Sequence, residues 1–522
     1  MHSSRVRDEA REPAIRTATS HVTPTQRCGD RRGRARGGAI VLLSIVVLTA
    51  CGAHSPRPAV PPVAFAPGVV LAPAVAAPPG QNPYQRRLPV ALVGSNAYLA
   101  GPGSVQISDA RTGRTTATVR PRRAPITGAG PLLGAPKVST LNNTQVVLWP
   151  FLVESPPVNY PPPAGAAPSG TPQAGLPGLG AAGPPAGNVP LPTDAAPQDN
   201  AAPTDSAQPS GSAAPPASTA AAGPTPPPGT SVELDAIRTD DHSTSGVLVS
   251  LPDWASGSSS NVSVSVVGAV SSTVVLDVTD GLSDTAVVVD AKTGSTLWTR
   301  DNFAAGAVTD QTVVGTEADT AQGAAAQHVA ALSLADGQPR WTQLHGYGLR
   351  VSPAGPTLVA AIAQRDRDTQ RGSFQLLNAA SGAPVATLAV PSALSSRCDY
   401  DGISVTVCYA PESRQQDRFA VGVDARTGKQ LWAMPDYSTS SKPAPLVTAL
   451  WHGMIYATPS PPNVPAIPRS GGPPPPSTEV YQASTGILVR SSPGPAPLVV
   501  DDNAAVSLDT DNTHVMARQP VA

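Results

Sequence analysis

The chain of 522 residues has few aromatic and few charged residues, 4% and 14% of the total, whereas Pro and Gly are abundant with 62 and 46 copies. Such a composition is typical of a turn-rich β protein with Pro-rich inserts and disfavours a helical domain. The formal net charge of −1 gives no support for electrostatic binding to nucleic acid or to an anionic membrane surface.

The sequence also lacks the short motifs of common enzymes. It has no Gly-x-Ser-x-Gly elbow, no P-loop and no dinucleotide fingerprint, and its eight histidines form no His-x-x-x-His pair. Two acidic stretches, Asp509 to Asn512 and Asp399 to Gly402, carry alternating carboxylates, but neither continues to a distant Glu ligand for Ca²⁺. We interpret both as Asp/Gly turns, and we predict no catalytic residue and no metal ligand.

The chain has only four cysteines, and their positions indicate export. Cys398 and Cys408 flank a turn-like sequence that leads into a β-branched run, so their thiols are placed to meet across adjacent strands. We predict a disulfide between them, as expected outside the cytoplasm. A redox pair is the alternative, but no positively charged site that would stabilise a thiolate is evident nearby.

The N-terminal residues are typical of a lipoprotein signal peptide. Arg31 to Arg36 is basic and precedes the apolar run Ala39 to Val47, which is too short to span a membrane. Leu48-Thr49-Ala50-Cys51 resembles the bacterial lipobox, so we expect residues 1–50 to be removed and Cys51 to carry fatty acids such as palmitate. An ordinary signal peptide, a twin-Arg signal and a start at Val22 are the alternatives considered.

A hairpin pattern recurs along the rest of the chain. Its clearest copy is Val287 to Trp298, in which a β-branched run leads through Asp290-Ala-Lys-Thr-Gly294 to Trp298. Its best second copy is Asp424-Ala-Arg-Thr-Gly428-Lys-Gln-Leu-Trp432. Weaker copies include Leu334 to Trp341, Asn378 to Gly382, Gln482 to Gly486 and Asp109 to Gly113. The successive turn glycines, at positions 294, 337, 382, 428 and 486, are spaced as in four-stranded propeller blades.

This pattern resembles the repeat of the pyrroloquinoline-quinone (PQQ) type β-propellers, which include quinoprotein dehydrogenases and non-enzymatic propellers such as the BamB assembly lipoprotein. The resemblance covers about Pro89 to Arg518. It implies an all-β propeller of seven or eight four-stranded blades. It also implies that the motif residues Asp290, Gly294, Trp298, Trp341, Asp424, Gly428 and Trp432 dock one blade on the next.

The expected domains follow from composition. We predict a Pro/Ala-rich tether at 51–87, a propeller at 88–522, and a disordered Pro-rich insertion at 155–228 within it. The insertion enters between two strands of one repeat, where shorter segments interrupt other copies. The last strands begin a blade without finishing it, so closure of the ring requires an N-terminal strand.

The functional prediction is a non-enzymatic, lipid-anchored scaffold or binding protein on the outer face of a cell membrane. The vicinal Cys-Cys pair of many quinoprotein dehydrogenases is absent, so PQQ and Ca²⁺ are not expected as cofactors. The alternatives are a PQQ- or metal-dependent oxidoreductase and an extracytoplasmic small-molecule sensor. Arg-rich, Lys-poor composition together with the lipobox favours a high-GC Gram-positive bacterium. We expect a monomer whose partner is an envelope protein or a wall polymer.

Overall fold

Antiparallel pairing of short strands accounts for nearly all regular structure in this computed structural model. The structure describes residues 61–73, 88–126, 135–155, 229–256, 262–319, 326–364, 372–390, 396–410, 418–434, 444–460 and 475–521. All of them belong to one compact unit, Ala59–Ala522. Within these ranges the one α-helix is the single turn α1, Asp253–Ser256, and none of their helices is long and apolar enough to cross a membrane.

The strands form consecutive antiparallel groups. The first contains β2 (Val90–Val93), β3 (Asn96–Ala100), β4 (Val105–Asp109) and β5 (Thr115–Val119). The second contains β6 (Lys137–Leu141), β7 (Thr144–Glu154), β8 (Thr230–Arg238) and β9 (Thr244–Ser250). The third contains β10 (Ser263–Val270), β11 (Thr273–Thr279), β12 (Asp284–Asp290) and β13 (Thr296–Asp301).

The next sheet has seven strands because one long strand serves two groups. It contains β14 (Phe303–Val308), β15 (Thr312–Ala318), β16 (Ala326–Ser333), β17 (Pro339–Pro353), β18 (Leu358–Gln364), β19 (Gly372–Asn378) and β20 (Pro384–Val390). The first part of β17 pairs with β16 and the last part with β18. Positive φ angles at Leu344 and Gly348, and a register shift between Tyr347 and Arg350, mark the bend between the two parts.

Three further groups complete the chain. One contains β21 (Arg397–Tyr400), β22 (Val405–Tyr409), β23 (Ala420–Asp424) and β24 (Gln430–Met434). The next contains β25 (Leu446–Trp451), β26 (Met454–Thr458), β27 (Ser477–Gln482) and β28 (Leu488–Pro493). In the last, β29 (Val499–Val500), β30 (Ala505–Leu508) and β31 (His514–Arg518) are joined by β1 (Val69–Pro73) from the other end of the chain.

The core lies between the groups. Each hydrophobic cluster of the described residues lies between consecutive groups, and Trp298 belongs to one of them. Another cluster unites Leu71 and Val506 of the last group with Val90 and Ala97 of the first. The two ends of the chain therefore share one core. Because the middle strands of a group are covered on both sides, β12 reads as an almost continuous buried run.

The position of β1 corrects one expected domain boundary. The sequence predicted a tether throughout 51–87, but β1 pairs with β31, and Phe65 is buried against Tyr456. Residues 61–73 therefore belong to the folded unit, which is consistent with the expectation that an N-terminal strand completes the last group. Residues 1–60 and 74–87 lie outside the described residues.

The long Pro-rich segment connects two paired strands. Glu154 at the end of β7 lies opposite Thr230 at the start of β8. The shorter interruptions occupy the same place, since β15/β16, β18/β19, β22/β23 and β26/β27 are likewise antiparallel neighbours. The sequence predicted that these segments separate corresponding strands of the repeat, and the structure shows that the strands are the second and third of their groups. Residues 156–228, where disorder is predicted, lie outside the described residues.

Candidate functional site

The recurrent Asp-x-x-Thr-Gly sequence forms the same turn in each clear copy. Asp290 Oδ1 accepts hydrogen bonds from the backbone amides of Lys292 and Thr293, at 2.7 and 3.3 Å. Gly294 has a φ of 73°, which a side chain would strain. Asp424 caps its own turn in the same way, and Gly428 has a φ of 68°.

The tryptophans link one group to the next. In each case the indole Nε1–H donates to the carbonyl of the second residue of the following turn, and the ring lies against that turn's glycine. The bonds are Trp298 to Leu334 at 3.0 Å, Trp341 to Ala379 at 3.1 Å and Trp432 to Ala483 at 2.6 Å. Trp298, Trp341 and Trp432 and the turn glycines therefore lie in contacts between groups, whereas Asp290 and Asp424 cap their own turns.

The same contact joins the two ends of the chain without a tryptophan. Gln519 Nε2 donates to the carbonyl of Ala110, the second residue of the first turn, at 2.9 Å. Gly113 of that turn lies against the backbone of Val70 in β1. The link between the last and first groups thus uses the same acceptor position as the tryptophan links.

The first strands of the groups surround a cavity of about 630 Å³. Each of these strands contributes to its wall. One lining residue from each, in chain order, is Val90, Lys137, Val267, Gly306, Val351, Asp399, Leu450 and Val500. Small and apolar side chains predominate among these residues, so the charged ones define the chemistry of the wall.

Two of the charged residues on this wall are bound to each other. Arg397 and Asp399 lie two residues apart on β21, and their Nε and Oδ2 atoms are 3.0 Å apart. The Tyr409 hydroxyl, on the neighbouring strand, accepts from Arg397 Nε at 2.6 Å and donates to Asp399 Oδ2 at 2.5 Å. Burial raises the pKa of Tyr409 well above its ordinary value, so the hydroxyl remains a donor. Arg397 and Asp399, held from behind by buried Tyr409, are the strongest candidates for contact with a ligand in the cavity.

Two carboxylates outside the cavity are strongly perturbed. Burial, and then the neighbouring Glu233, raises the pKa of Asp235 to about 7. Burial also raises the pKa of Asp277 to about 7, although its Oδ1 accepts the backbone amide of Ala305 at 3.0 Å. That hydrogen bond joins β11 to β14 of the following group, so Asp277 has a structural role.

The predicted cysteine pair is joined. Cys398 and Cys408 lie directly opposite each other on β21 and β22, with Cα atoms 4.0 Å apart, and form a disulfide. Both are buried in the core between the β17–β20 group and their own. Cys51, the predicted lipidation site, lies outside the described residues.

The two acidic stretches form turns that use their carboxylates internally. Asp401 Oδ1 accepts the backbone amides of Ile403, Ser404 and Val405 at 2.8–2.9 Å. Partial burial opposes ionisation of Asp509, but hydrogen bonds from His514 and its neighbours outweigh it and lower the pKa to about 2. These carboxylates serve as turn caps.

One cluster of possible metal ligands was not predicted from the sequence. Asp319, His328 and His345 each place one ligand atom within 4.8 Å of the other two. His328 and His345 are far apart in the sequence, and their meeting depends on β16 pairing with β17. Predicting this cluster requires the strand register of the β16–β17 hairpin, which places His328 opposite His345.

Comparison with known proteins gives structural neighbours only. No protein-family model and no curated protein matches the sequence. The structure is similar to BamB from Moraxella catarrhalis. That similarity has a TM-score of 0.42 and 11% identity, and covers 82% of this chain and 95% of that one.

Two dehydrogenases are also among the neighbours. The quinohemoprotein alcohol dehydrogenase ADHIIG from Pseudomonas putida HK5 matches with a TM-score of 0.36 and 9% identity, over 83% of this chain and 74% of that one. A europium-containing methanol dehydrogenase matches with a TM-score of 0.32 and 10% identity, over 56% and 77%. These similarities concern the fold alone and do not separate enzymes from other propellers.

Proposed function

We propose that this chain is a non-enzymatic β-propeller scaffold of the bacterial cell envelope, anchored to the outer face of a membrane by lipid on Cys51. The observation that carries the proposal is the use of the recurrent motif. Its aspartates cap turns, and its tryptophans and glycines join neighbouring groups. The repeat therefore builds a rigid frame, and its own polar atoms are used within that frame.

In this proposal the groups form a single eight-bladed propeller. Six four-stranded sheets and one seven-stranded sheet that divides at β17 supply the eight blades. The shared core of β1, β30 and β2, and the Gln519–Ala110 hydrogen bond, support closure of the ring. A closed ring leaves no exposed edge between its first and last sheets.

The proposed anchor holds the propeller close to the membrane. The segment 51–60 has ten residues before the first described residue, Pro61. A fully extended chain of that length reaches roughly 35 Å. Labelling cells with a fatty acid should mark the wild-type protein and leave Cys51→Ala unmarked. Equal labelling of both would exclude the lipid anchor.

A role in binding other proteins is supported by the outer strand β28. Ile487, Leu488 and Val489, at and beside its start, are 64%, 47% and 49% exposed. Among the described strands β28 pairs only with β27, so its outer edge offers free backbone groups as well as apolar side chains. A partner that adds a strand or an apolar surface to this edge fits the proposal.

Photo-crosslinking can test this role. A photoreactive amino acid replaces Leu488 in the full-length protein in cells, and the matched control replaces Leu297, 46% exposed in the outer strand β13. We expect a discrete crosslinked envelope component from position 488 and none from position 297. Identical products from both positions, or none from either, would contradict a scaffold that binds through β28.

The rival oxidoreductase is tested by titration with PQQ and Ca²⁺. The charged wall residues Arg397 and Asp399 neutralise each other, so neither offers an uncompensated charge to a cofactor-bound Ca²⁺. We expect no saturable change in absorbance or melting temperature of the full-length protein. A saturable shift accompanied by dye reduction with alcohols or sugars would replace the scaffold with a dehydrogenase.

A small-molecule sensor is the second candidate, and the cavity is the observation that favours it. Its volume of about 630 Å³ lies within the range of ligand sites, and Arg397 and Asp399 offer polar contacts on its wall. A ligand that raises the melting temperature of the wild type but not of Arg397→Gln would favour this candidate.

A further inference from the structure

Four ionisable side chains lie on one face of three adjacent strands. Glu317 on β15 is directly opposite His328 on β16, and His328 is directly opposite His345 on β17. Opposite residues of antiparallel strands point to the same face, and so do residues two apart on one strand. Asp319 lies just beyond the end of β15, where its backbone amide donates to the carbonyl of Ala326 on β16 at 2.8 Å, and its carboxylate lies beside the two histidines.

The distances within this cluster suit a shared cation better than separate hydrogen bonds. His328 Nε2 lies 3.4 Å from Glu317 Oε2, and His345 Nδ1 lies 3.4 Å from Asp319 Oδ2. Both distances exceed the usual hydrogen-bond range. Ligand atoms of Asp319, His328 and His345 lie within 4.8 Å of one another, so small side-chain shifts would bring each of them to about 2.0–2.2 Å from an ion between them.

The two imidazoles are adjacent and partly withdrawn from water. Their ring centroids are 5.4 Å apart, and the His328 side chain is 16% exposed. His328 Nδ1 is buried and has no hydrogen-bond partner in the part of the chain that the structure describes. An imidazole nitrogen can offer its lone pair to a metal ion, so the two adjacent rings can act as ligands of one ion.

Glu317 is held in place from the neighbouring group. Arg300 on β13 donates from Nε to Glu317 Oε1 at 2.9 Å, which leaves Oε2 facing His328. A carboxylate that orients a histidine is the usual support of a metal-binding imidazole. The His345 side chain is 54% exposed, so an ion can reach the cluster from solvent.

We propose that Asp319, His328 and His345 bind a divalent transition-metal ion of the Zn²⁺ class, with Glu317 as the carboxylate that orients His328. Two imidazoles and one carboxylate are ligands that suit Zn²⁺, Cu²⁺ or Ni²⁺ and disfavour Ca²⁺ or Mg²⁺. Three protein ligands leave a coordination position for water or for a group from a partner. The ion would join β15, β16 and β17 across one face of the sheet.

Titration of the purified full-length protein with ZnCl₂ tests the site. The protein is first treated with EDTA, and any free thiol outside the Cys398–Cys408 disulfide is alkylated. We expect one equivalent of Zn²⁺ to bind, and at least tenfold weaker binding in His345→Ala and Asp319→Asn. The matched control is His514→Ala, because His514 also contacts a carboxylate, Asp509, at 2.8 Å. It should bind Zn²⁺ as the wild type does.

A second readout keeps the test decisive if a variant fails to fold. In the wild type, with histidines labelled by ¹⁵N, Zn²⁺ should shift the imidazole resonances of His328 and His345 and leave that of His514 in place. CaCl₂ at the same concentration should shift none of them. Equal Zn²⁺ affinity in wild type and both variants, shifts confined to other histidines, or no saturable binding would each overturn the proposal.

Discussion

The backbone amide of Ser155 donates a 2.7 Å hydrogen bond to the carbonyl oxygen of Gly229, which closes the β7–β8 ladder across a long gap in sequence. The two ends of the Pro-rich segment therefore meet at one hairpin. Loop length has a weak effect on folding free energy, about 0.6 kcal/mol per doubling.

Deletion of the segment from Gly165 to Pro224 should therefore preserve the fold. We expect the β-sheet circular dichroism and cooperative thermal unfolding of the shortened protein to match those of the wild type, because the β7–β8 pairing is retained. Loss of cooperative unfolding after the deletion would show that the segment stabilises the folded unit.

Trp432 supplies both packing and a hydrogen bond between groups. Replacement with Ala should lower the free energy of unfolding by about 3 kcal/mol, because a large ring in contact with the next turn is lost. Trp432→Phe keeps most of the aromatic surface and should cost only about 1 kcal/mol for the lost hydrogen bond to Ala483. Chemical denaturation measures both free energies of unfolding.

Leu431→Ala is the control, because Leu431 is the neighbouring residue and is 41% exposed. It should change the free energy of unfolding by less than about 0.5 kcal/mol. A similar loss in Leu431→Ala would contradict a specific role for Trp432.

Asp277 should make stability depend on pH. Its pKa is raised to about 7 in the folded state, whereas the unfolded chain has an ordinary value near 3.8. Between about pH 4 and pH 7 the folded state therefore holds a proton that the unfolded state releases, and the free energy of unfolding falls as pH rises. The slope for this group is at most about 1.4 kcal/mol per pH unit.

The Asn variant isolates this effect. Asp277→Asn retains an acceptor for the amide of Ala305 but cannot ionise, so its stability should fall less steeply between pH 4 and pH 7 than that of the wild type. Asp280→Asn is the control, since hydrogen bonds lower the pKa of exposed Asp280 and its charge is constant over this range. Parallel slopes in wild type and Asp277→Asn would refute the assignment.

The disulfide should stabilise the group β21–β24. It closes a short loop, with a sequence separation of 10, so its removal in the Cys398→Ala, Cys408→Ala double variant should cost about 2–3 kcal/mol. Mass spectrometry of unreduced peptides from exported protein should recover the two cysteines joined. Two free thiols in the exported protein would contradict the pairing.

Much of the fold could be predicted from local sequence features, namely the repeated turns and the segments between strands. The turn glycines 294, 337, 382, 428 and 486 all adopt positive φ angles of 68–73°, as the repeated turn requires. The recurring interruption was also recognisable, because in several copies a polar or Pro-rich stretch separates two strand-like runs. These features depend on residues close together in sequence.

The features that could not be predicted from the sequence depend on which strands pair and in which register. Val69–Pro73 lies among Pro and Ala, so it resembled a tether, and only its partner β31 identifies it as a strand. His328 and His345 meet through one hairpin register, and Arg397 reaches Tyr409 through another. Since register is fixed by tertiary packing, spacing along the chain does not reveal it.

Closure of the ring by β1 is tested most directly by cysteine cross-linking between strands. Val70 lies opposite Met516, whereas Ser507 lies one strand further away on the other side of Met516. Mild oxidation should link Val70→Cys to Met516→Cys in the full-length protein, as judged by mass spectrometry of unreduced peptides, and should not link Val70→Cys to Ser507→Cys. No link at 70–516, or equal links in both variants, would contradict a propeller closed by its N-terminal strand.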